Sequence, residues 1–370
     1  MKKTLALLLA GSMVMGLTAC SSGSSASSTT AAATTAAATT ATTAAAAAET
    51  TAAAEAPAED YGTYNWNLAM TVAETTTNYK MVEYFANLVK ERSGGSINIE
   101  LYPGGQLANT TEQDEACVAG SIEMVTGMTS DLTDFVKEMA LFDMPNVFDD
   151  IQHMRNFLES DYAKDQINEY CEASGIHMLA FSDAGFRQLT TNIPTASVKD
   201  LSGQKIRVMT NKYHIAYWNA VGASAVPMQF NELFMGLQQG TVDGQENPYM
   251  NIVGNNLQEV QKYVVETNHV GHIIVFFMNN DLYQSLPDNT RALIDECAAE
   301  AAEYAKEVAN ESIDKDKQTV LDAGCEIIEF SDEDLAFLRE KAQVVYDMVQ
   351  EDLGEEVVKG FQDAIEAARQ

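Results

Sequence analysis

Residues 290–323 read TRALIDECAAEAAEYAKEVANESIDKDKQTVLDA, a run with no proline or glycine that is rich in Ala, Glu and Lys. Asp288 and Asn289 precede it as cap candidates, and Gly324 follows it as a stop. As one helix the run would be about 51 Å long, at 1.5 Å per residue. A compact lobe of ~150 residues is narrower than that, so the helix must either bend or bridge two lobes. A spine between two lobes implies a clamshell with a ligand cleft.

Outward from that run, helical and strand patterns alternate, which argues α/β rather than a bundle or a sandwich. Residues 65–70 read as a strand and 76–92 as an amphipathic helix, with Tyr79, Val82, Phe85, Ala86 and Val89 on one face and Ser93-Gly94-Gly95 as its stop. A strand at 97–102, a helix near 111–119 and a strand at 122–126 complete a βαβαβ opening. Further strands are expected at 205–209, 241–243 and 273–278, and helices near 213–221 and 231–239.

The chain has 370 residues, room for about two domains. Its formal net charge of −32 leaves no basic face for a phosphate backbone or for anionic lipid, so neither nucleic acid nor electrostatic membrane binding is expected. A hydrophobic content of 46% separates it from disordered acidic chains. Lys2 and Lys3 followed by the apolar run 5–17 have the layout of an export signal, too short to span a bilayer. That run ends Leu17-Thr18-Ala19-Cys20, similar to a bacterial lipobox. We therefore expect a lipoprotein signal over 1–20, lipidation at Cys20, and an Ala/Thr/Ser-rich tether over 21–60 that is too small-sided to bury a core. No later stretch reaches eighteen apolar residues. Cys117, Cys171, Cys297 and Cys325 form no CxxC pair, leaving disulfides and free buried thiols both open.

Enzyme motifs are missing: there is no GxSxG, HExxH, phosphate-cradling glycine loop or calcium loop. His269 and His272 have HxxH spacing, but in a β-like segment i and i+3 face opposite ways, so no metal site is expected. Arginine is scarce, and Arg187 (GFRQL) and Arg207 (QKIRV) sit in apolar, strand-like contexts. A buried guanidinium needs a partner, and its planar fork matches a carboxylate. The partner could be a ligand or one of the chain's many acids.

The stretches GFRQLTTN (185–192), DLSGQKIRV (200–208), VGASAVPMQFNELFMGLQQGTVDGQENP (221–248) and EVQKYVVETNH (259–269) resemble the DctP-family solute-binding proteins of tripartite ATP-independent periplasmic (TRAP) transporters. YPGGQLAN (102–109) fits the same family's first lobe. The resemblance implies a two-lobe α/β clamshell, like a periplasmic binding protein, with a hinge and a long helix spanning both lobes. Lobe I would comprise 61–184 plus 273–312, and lobe II 185–272 plus 313–370. It implies that Arg207 clamps a ligand carboxylate, that Arg187 supports it, that Asn247 hydrogen-bonds it and that Phe230 packs on the ligand. Gln245 and Glu246 would order the loop.

First-lobe contacts are expected among Thr71, Glu74, Asn78 and Thr129. Trp218 is expected in the core, and Tyr213 could face the cleft. Met128 stands where sialate-binding members carry a glutamate, which disfavours sialic acid. The function implied is extracytoplasmic capture of a small organic acid, a dicarboxylate or sugar acid, by a lipid-anchored monomer that delivers it to TRAP permease subunits without catalysis or cofactor. An ABC-type solute-binding lipoprotein or a surface receptor for a small carboxylate is the alternative.

Overall fold

The computed structural model describes residues 59–369. The export signal, Cys20 and all but the last two residues of the tether lie outside the described residues. Among those described, no helix is long and apolar enough to cross a membrane.

Among the described residues eleven strands form two sheets: β1 (Tyr64–Ala69), β2 (Ile97–Tyr102), β3 (Met124–Met128), β4 (Ile176–Phe186), β5 (Gln188–Thr191), β6 (Lys205–Val208), β7 (Ser224–Pro227), β8 (Gly244–Asn247), β9 (Tyr263–Val265), β10 (Gly271–Asn279) and β11 (Glu326–Ile328). The first sheet runs β2-β1-β3-β10-β4 and the second β11-β9-β5-β8-β6-β7. The βαβαβ opening is present: β1 pairs in parallel with β2, from Tyr64 opposite Ile97 to Ala69 opposite Tyr102, and with β3 on its other side. β10 then enters antiparallel between β3 and β4. All nine of its residues, GHIIVFFMN, are buried, as a central strand covered on both faces requires.

The helix between β1 and β2, Thr77–Arg92, starts at Thr76, whose hydroxyl accepts from the Tyr79 amide. It buries Met81, Val82, Phe85, Ala86 and Val89, and Phe85 meets Phe276 of β10 edge-on, with ring centroids 4.8 Å apart.

The chain leaves the first sheet at Phe186, enters the second at Gln188, and returns between Val265 and Gly271. The uninterrupted run at 290–323 is a third bridge: it lies in a single helix, Asp288–Asp322, about 52 Å long. Leu293, Ile294, Cys297, Ala298, Ala301 and Ala305 pack in the cluster beneath the first sheet. Val320, near the other end, packs with Val242, Leu257 and Val264 beneath the second. Alanines on the packed face let the helix lie close to β4 and to Thr77–Arg92. The helix begins after Pro287, so Asp288 is its first residue rather than its cap, and its charge favours the positive end of the dipole. It stops at Gly324, whose φ of 90° is costly for any residue with a Cβ.

Two expectations need correction. The strand expected at 241–243 lies at Gly244–Asn247, because its side chains are polar yet fully buried. The C-terminal helices do not all stay with the second sheet: helix Glu355–Ala367 places Phe361 edge-on to Phe142 and Phe157, which belong with the first-lobe chain. Cys117, Cys171, Cys297 and Cys325 are all buried and unpaired.

Candidate functional site: a cleft between the two sheets

Parallel strands direct their C-terminal ends to one edge of each sheet, and the loops leaving those ends make a cleft. From the first sheet come Thr71 and Val72 after β1, Gly127 and Met128 at the end of β3, and Asp131, Asp134 and Phe135 beyond it. From the second come Arg207 near the end of β6, Met228, Gln229 and Phe230 after β7, and Asn247 at the end of β8. The cleft is partly open, and its interior cavity is about 60 Å³, room for a handful of waters at ~10–15 Å³ each. The lobes touch across it: Gln229 Nε2 donates to Thr111 Oγ1 at 3.1 Å, and Thr75 Oγ1 donates to the Gly254 carbonyl at 3.1 Å.

The two arginines differ sharply. Arg187, between β4 and β5, is 1% exposed, and its donors are taken within the protein. Nε binds Glu246 Oε2, Nη2 binds Glu246 Oε1 at 3.0 Å, and Nη1 donates to His272 Nδ1 at 2.8 Å and approaches Met128 Sδ at 3.5 Å. Arg187 thus lines the cleft, but its charge is already matched. Arg207 is 2% exposed; its Nε and Nη2 both donate to the Met228 carbonyl, at 2.9 and 2.6 Å. Its Nη1 is buried with no hydrogen-bond partner in the protein. Burial, only partly offset by Glu246, lowers its pKa to about 10, so it remains a cation at neutral pH. Phe230 covers it, with the ring centroid 5.7 Å from Cζ.

Behind the cleft is a buried network of carboxylates and imidazoles around Arg187. His269 Nε2 lies 3.1 Å from Glu246 Oε2, and His214 sits between Asp143 Oδ1 (3.1 Å) and Glu246 Oε1 (3.7 Å). Burial would raise the Glu246 carboxyl, but Arg187 first, then the histidines, hold it well below the ordinary range. Burial opposes a charge on His214, yet hydrogen bonds to Asp143 and Glu246 outweigh it and push the pKa up to about 9. Burial, then Arg187, drive His272 well down, so it is neutral and its Nδ1 can accept from Arg187. Burial raises the Asp131 carboxyl to about 6 against the pull of the Met128 amide and both arginines.

Of the residues expected from sequence, the cleft brings together Arg207, Arg187, Asn247, Phe230, Thr71 and Asn78. Asn247 is held by its neighbours: its Nδ2 donates to Gln245 Oε1 at 2.5 Å and its Oδ1 accepts from Asn251 at 3.1 Å. Three residues are elsewhere. Tyr213 is buried with its hydroxyl donating to Asp352 Oδ2 at 2.7 Å, so its ring faces the C-terminal helix Gln343–Leu353 rather than the cleft. Glu74 is exposed in the turn ahead of the Thr76 cap, and Thr129 is buried at the start of a 3₁₀ turn; neither lines the cleft.

Trp218 is fully buried in the core. Glu246 does more than order a loop, since it neutralises Arg187. His269 and His272 do not face apart: an irregularity between Gly271 and Ile273 turns both toward the Arg187–Glu246 pair. Asp131, Asp143 and His214 gave no signal in the sequence, because they meet only through the tertiary fold.

Comparison with known proteins agrees with this architecture. Residues 68–352 match the family model described as bacterial extracellular solute-binding protein, family 7 (DctP). The C4-dicarboxylate-binding periplasmic protein DctP of Rhodobacter capsulatus is 31% identical over 297 residues, 79% of this chain and 88% of its own length. Two solved structures superpose at 26% identity, each over 84% of this chain and all of its own. A TRAP periplasmic solute-binding protein from Shewanella oneidensis with bound succinate does so with a TM-score of 0.78, and the sugar acid binding protein DctPAm from Advenella mimigardefordensis with galactonate at 0.80. This chain belongs to the DctP family and is an extracytoplasmic solute-binding protein of the TRAP type, not an enzyme.

Proposed function

We propose that the protein captures a small organic acid by clamping its carboxylate on Arg207 and delivers it to the integral-membrane subunits of a TRAP transporter. One observation carries the reading. A buried cation with an unpartnered Nη1 at the wall of a cleft is costly to keep unless something outside the fold completes it. A carboxylate bridging Nη1 and the outer hydrogen of Nη2 supplies both the charge and the two parallel hydrogen bonds. Arg187, fixed by Glu246, adds positive potential beside it, and Asn247 and Phe230 bound the same space.

In this reading the lobes follow the sheets: residues 61–184 with 273–312, and residues 185–272 with the chain after 313, less its last helix. They hinge where the chain crosses near 187 and between 266 and 270, and ligand favours closure because it bridges both walls. Cys20 carries lipid, and the tether holds a monomer outside the membrane. Cys20→Ser then releases the protein from the membrane fraction; retention there would refute the anchor.

The functional test is a thermal-shift screen of the soluble part, from about Tyr61, against small acids. Ligand at ~100 times its Kd stabilises by about 2.7 kcal/mol. An acid hit that disappears in Arg207→Ala supports the clamp. A screen in which only neutral or cationic solutes shift the transition would refute it.

A further inference from the structure

We propose that the cleft takes a monocarboxylate bearing hydrogen-bond donors, hydroxyl or ammonium, near its carboxylate, and discriminates against dicarboxylates; the proposal rests on the Arg207 clamp above. Among the described residues lining the cavity, the charged side chains are Arg187, Arg207, Asp131 and Asp134. Arg187 is matched by Glu246, with both side chains buried, so it offers field but no free fork. That leaves the unpartnered Nη1 of Arg207 as the ligand's cationic anchor, and one guanidinium serves one carboxylate.

The wall opposite supplies no counter-charge for a second carboxylate. It supplies two carboxylates instead. Asp131 Oδ2 accepts the Met128 amide at 3.1 Å, leaving Oδ1 available, and Asp134 is exposed at the rim. An ionised carboxylate only accepts hydrogen bonds, so these groups select donors on the ligand and repel a second anion. Thr71 and Asn78 on the same wall suit polar groups of either kind. On the same side, Phe135 is apolar and His272 spends its Nδ1 on Arg187 and carries no positive charge to help a second carboxylate. The expected ligand therefore differs from the succinate bound to the Shewanella oneidensis relative in having a single carboxylate.

The test is calorimetric titration of the soluble part with matched acids: butyrate (one carboxylate, no donor), D-glycerate and D-galactonate (hydroxyl donors), L-serine (ammonium and hydroxyl) and succinate (two carboxylates). The proposal expects the best donor-bearing monocarboxylate to bind at least 30-fold tighter than succinate and butyrate; glycerate or galactonate against serine then tells hydroxyl from ammonium. Asp131→Asn keeps an oxygen for the Met128 amide, so the turn stays capped, and Asp134→Asn alters only an exposed side chain. The double variant is expected to narrow the preference over succinate at least 10-fold.

Succinate binding as tightly as any donor-bearing acid, lost in Arg207→Ala, would overturn this proposal and leave the clamp standing. So would a preference unchanged in the double aspartate variant. No acid binding at all would overturn the clamp and this inference with it.

Discussion

Glu246 is the buried carboxylate on which the site's floor depends, and replacing it by glutamine is the most informative perturbation of the fold. It is fully buried, pairs with two arms of the equally buried Arg187, and receives His269 and His214. Glutamine keeps the volume but removes the charge and offers its own amide hydrogens to groups that are themselves donors. Arg187 would be left as an uncompensated cation with 1% exposure. Removing one partner of such a pair costs about 3–5 kcal/mol.

At a urea m-value of about 3 kcal/mol/M, the unfolding midpoint of Glu246→Gln should fall by about 1–1.7 M, followed by circular dichroism. The double variant Arg187→Met/Glu246→Gln removes the orphaned charge as well, and should be more stable than Glu246→Gln alone. A Glu246→Gln cost below about 1 kcal/mol, or a double variant no better than the single, would refute the reasoning that the pair is a matched buried charge.

Three further outcomes follow from the same geometry. His214 has its pKa raised to about 9 by Asp143 and Glu246 against burial, so its contribution is complete below its unfolded value near 6.5 and is lost as pH rises through 9. That amounts to about 3 kcal/mol across the window, and denaturant midpoints of wild type and His214→Gln should converge above pH 9; parallel profiles would contradict it. Gly244→Ala would set a Cβ 2.2 Å from the Thr190 carbonyl in the paired neighbour strand, which cannot retreat, so it should destabilise by about 3 kcal/mol or more in thermal unfolding. An unchanged melting temperature would mean β5 and β8 do not pack as described. Gln229→Ala removes a lobe-to-lobe hydrogen bond worth about 1 kcal/mol, so stopped-flow ligand release should quicken about five-fold; unaltered release would show that this contact does not hold the cleft closed.

Much of this was legible in sequence, for identifiable reasons. The apolar face of Thr77–Arg92 repeats with helical period, and its end is marked by Ser93-Gly94-Gly95, so the expected bounds differ from the structure by one residue. β2 falls at the expected 97–102, because alternation and flanking glycines agree. The long helix was visible because nothing interrupts it. β8 was displaced because Gln245, Glu246 and Asn247 look like surface residues; they are buried by pairing with one another and with Arg187, and hydropathy carries no trace of that.

The site divides the same way. Arg207 and Arg187 stood out because arginine is scarce and each is set in a strand-like stretch. That Arg187 is already paired while Arg207 keeps a free nitrogen is a property of partners 21 residues away for Arg207, at Met228, and 59 and 85 away for Arg187, at Glu246 and His272, which no local pattern encodes. Tyr213 shows the converse: its position after the clamp strand suggested the cleft, but one helical face separates it from the groups that line it.

The central claim is that Arg207 completes its hydrogen bonding with a ligand carboxylate. Its most direct test is titration calorimetry of the tightest-binding acid into the wild type and Arg207→Lys, which keeps the charge and loses the planar fork. The account predicts a loss of at least 2 kcal/mol, about 30-fold in Kd, with ligand-free stability lowered only by about the 1 kcal/mol of one lost hydrogen bond to the Met228 carbonyl. A lysine variant that binds within about three-fold of wild type would contradict it and place the carboxylate elsewhere.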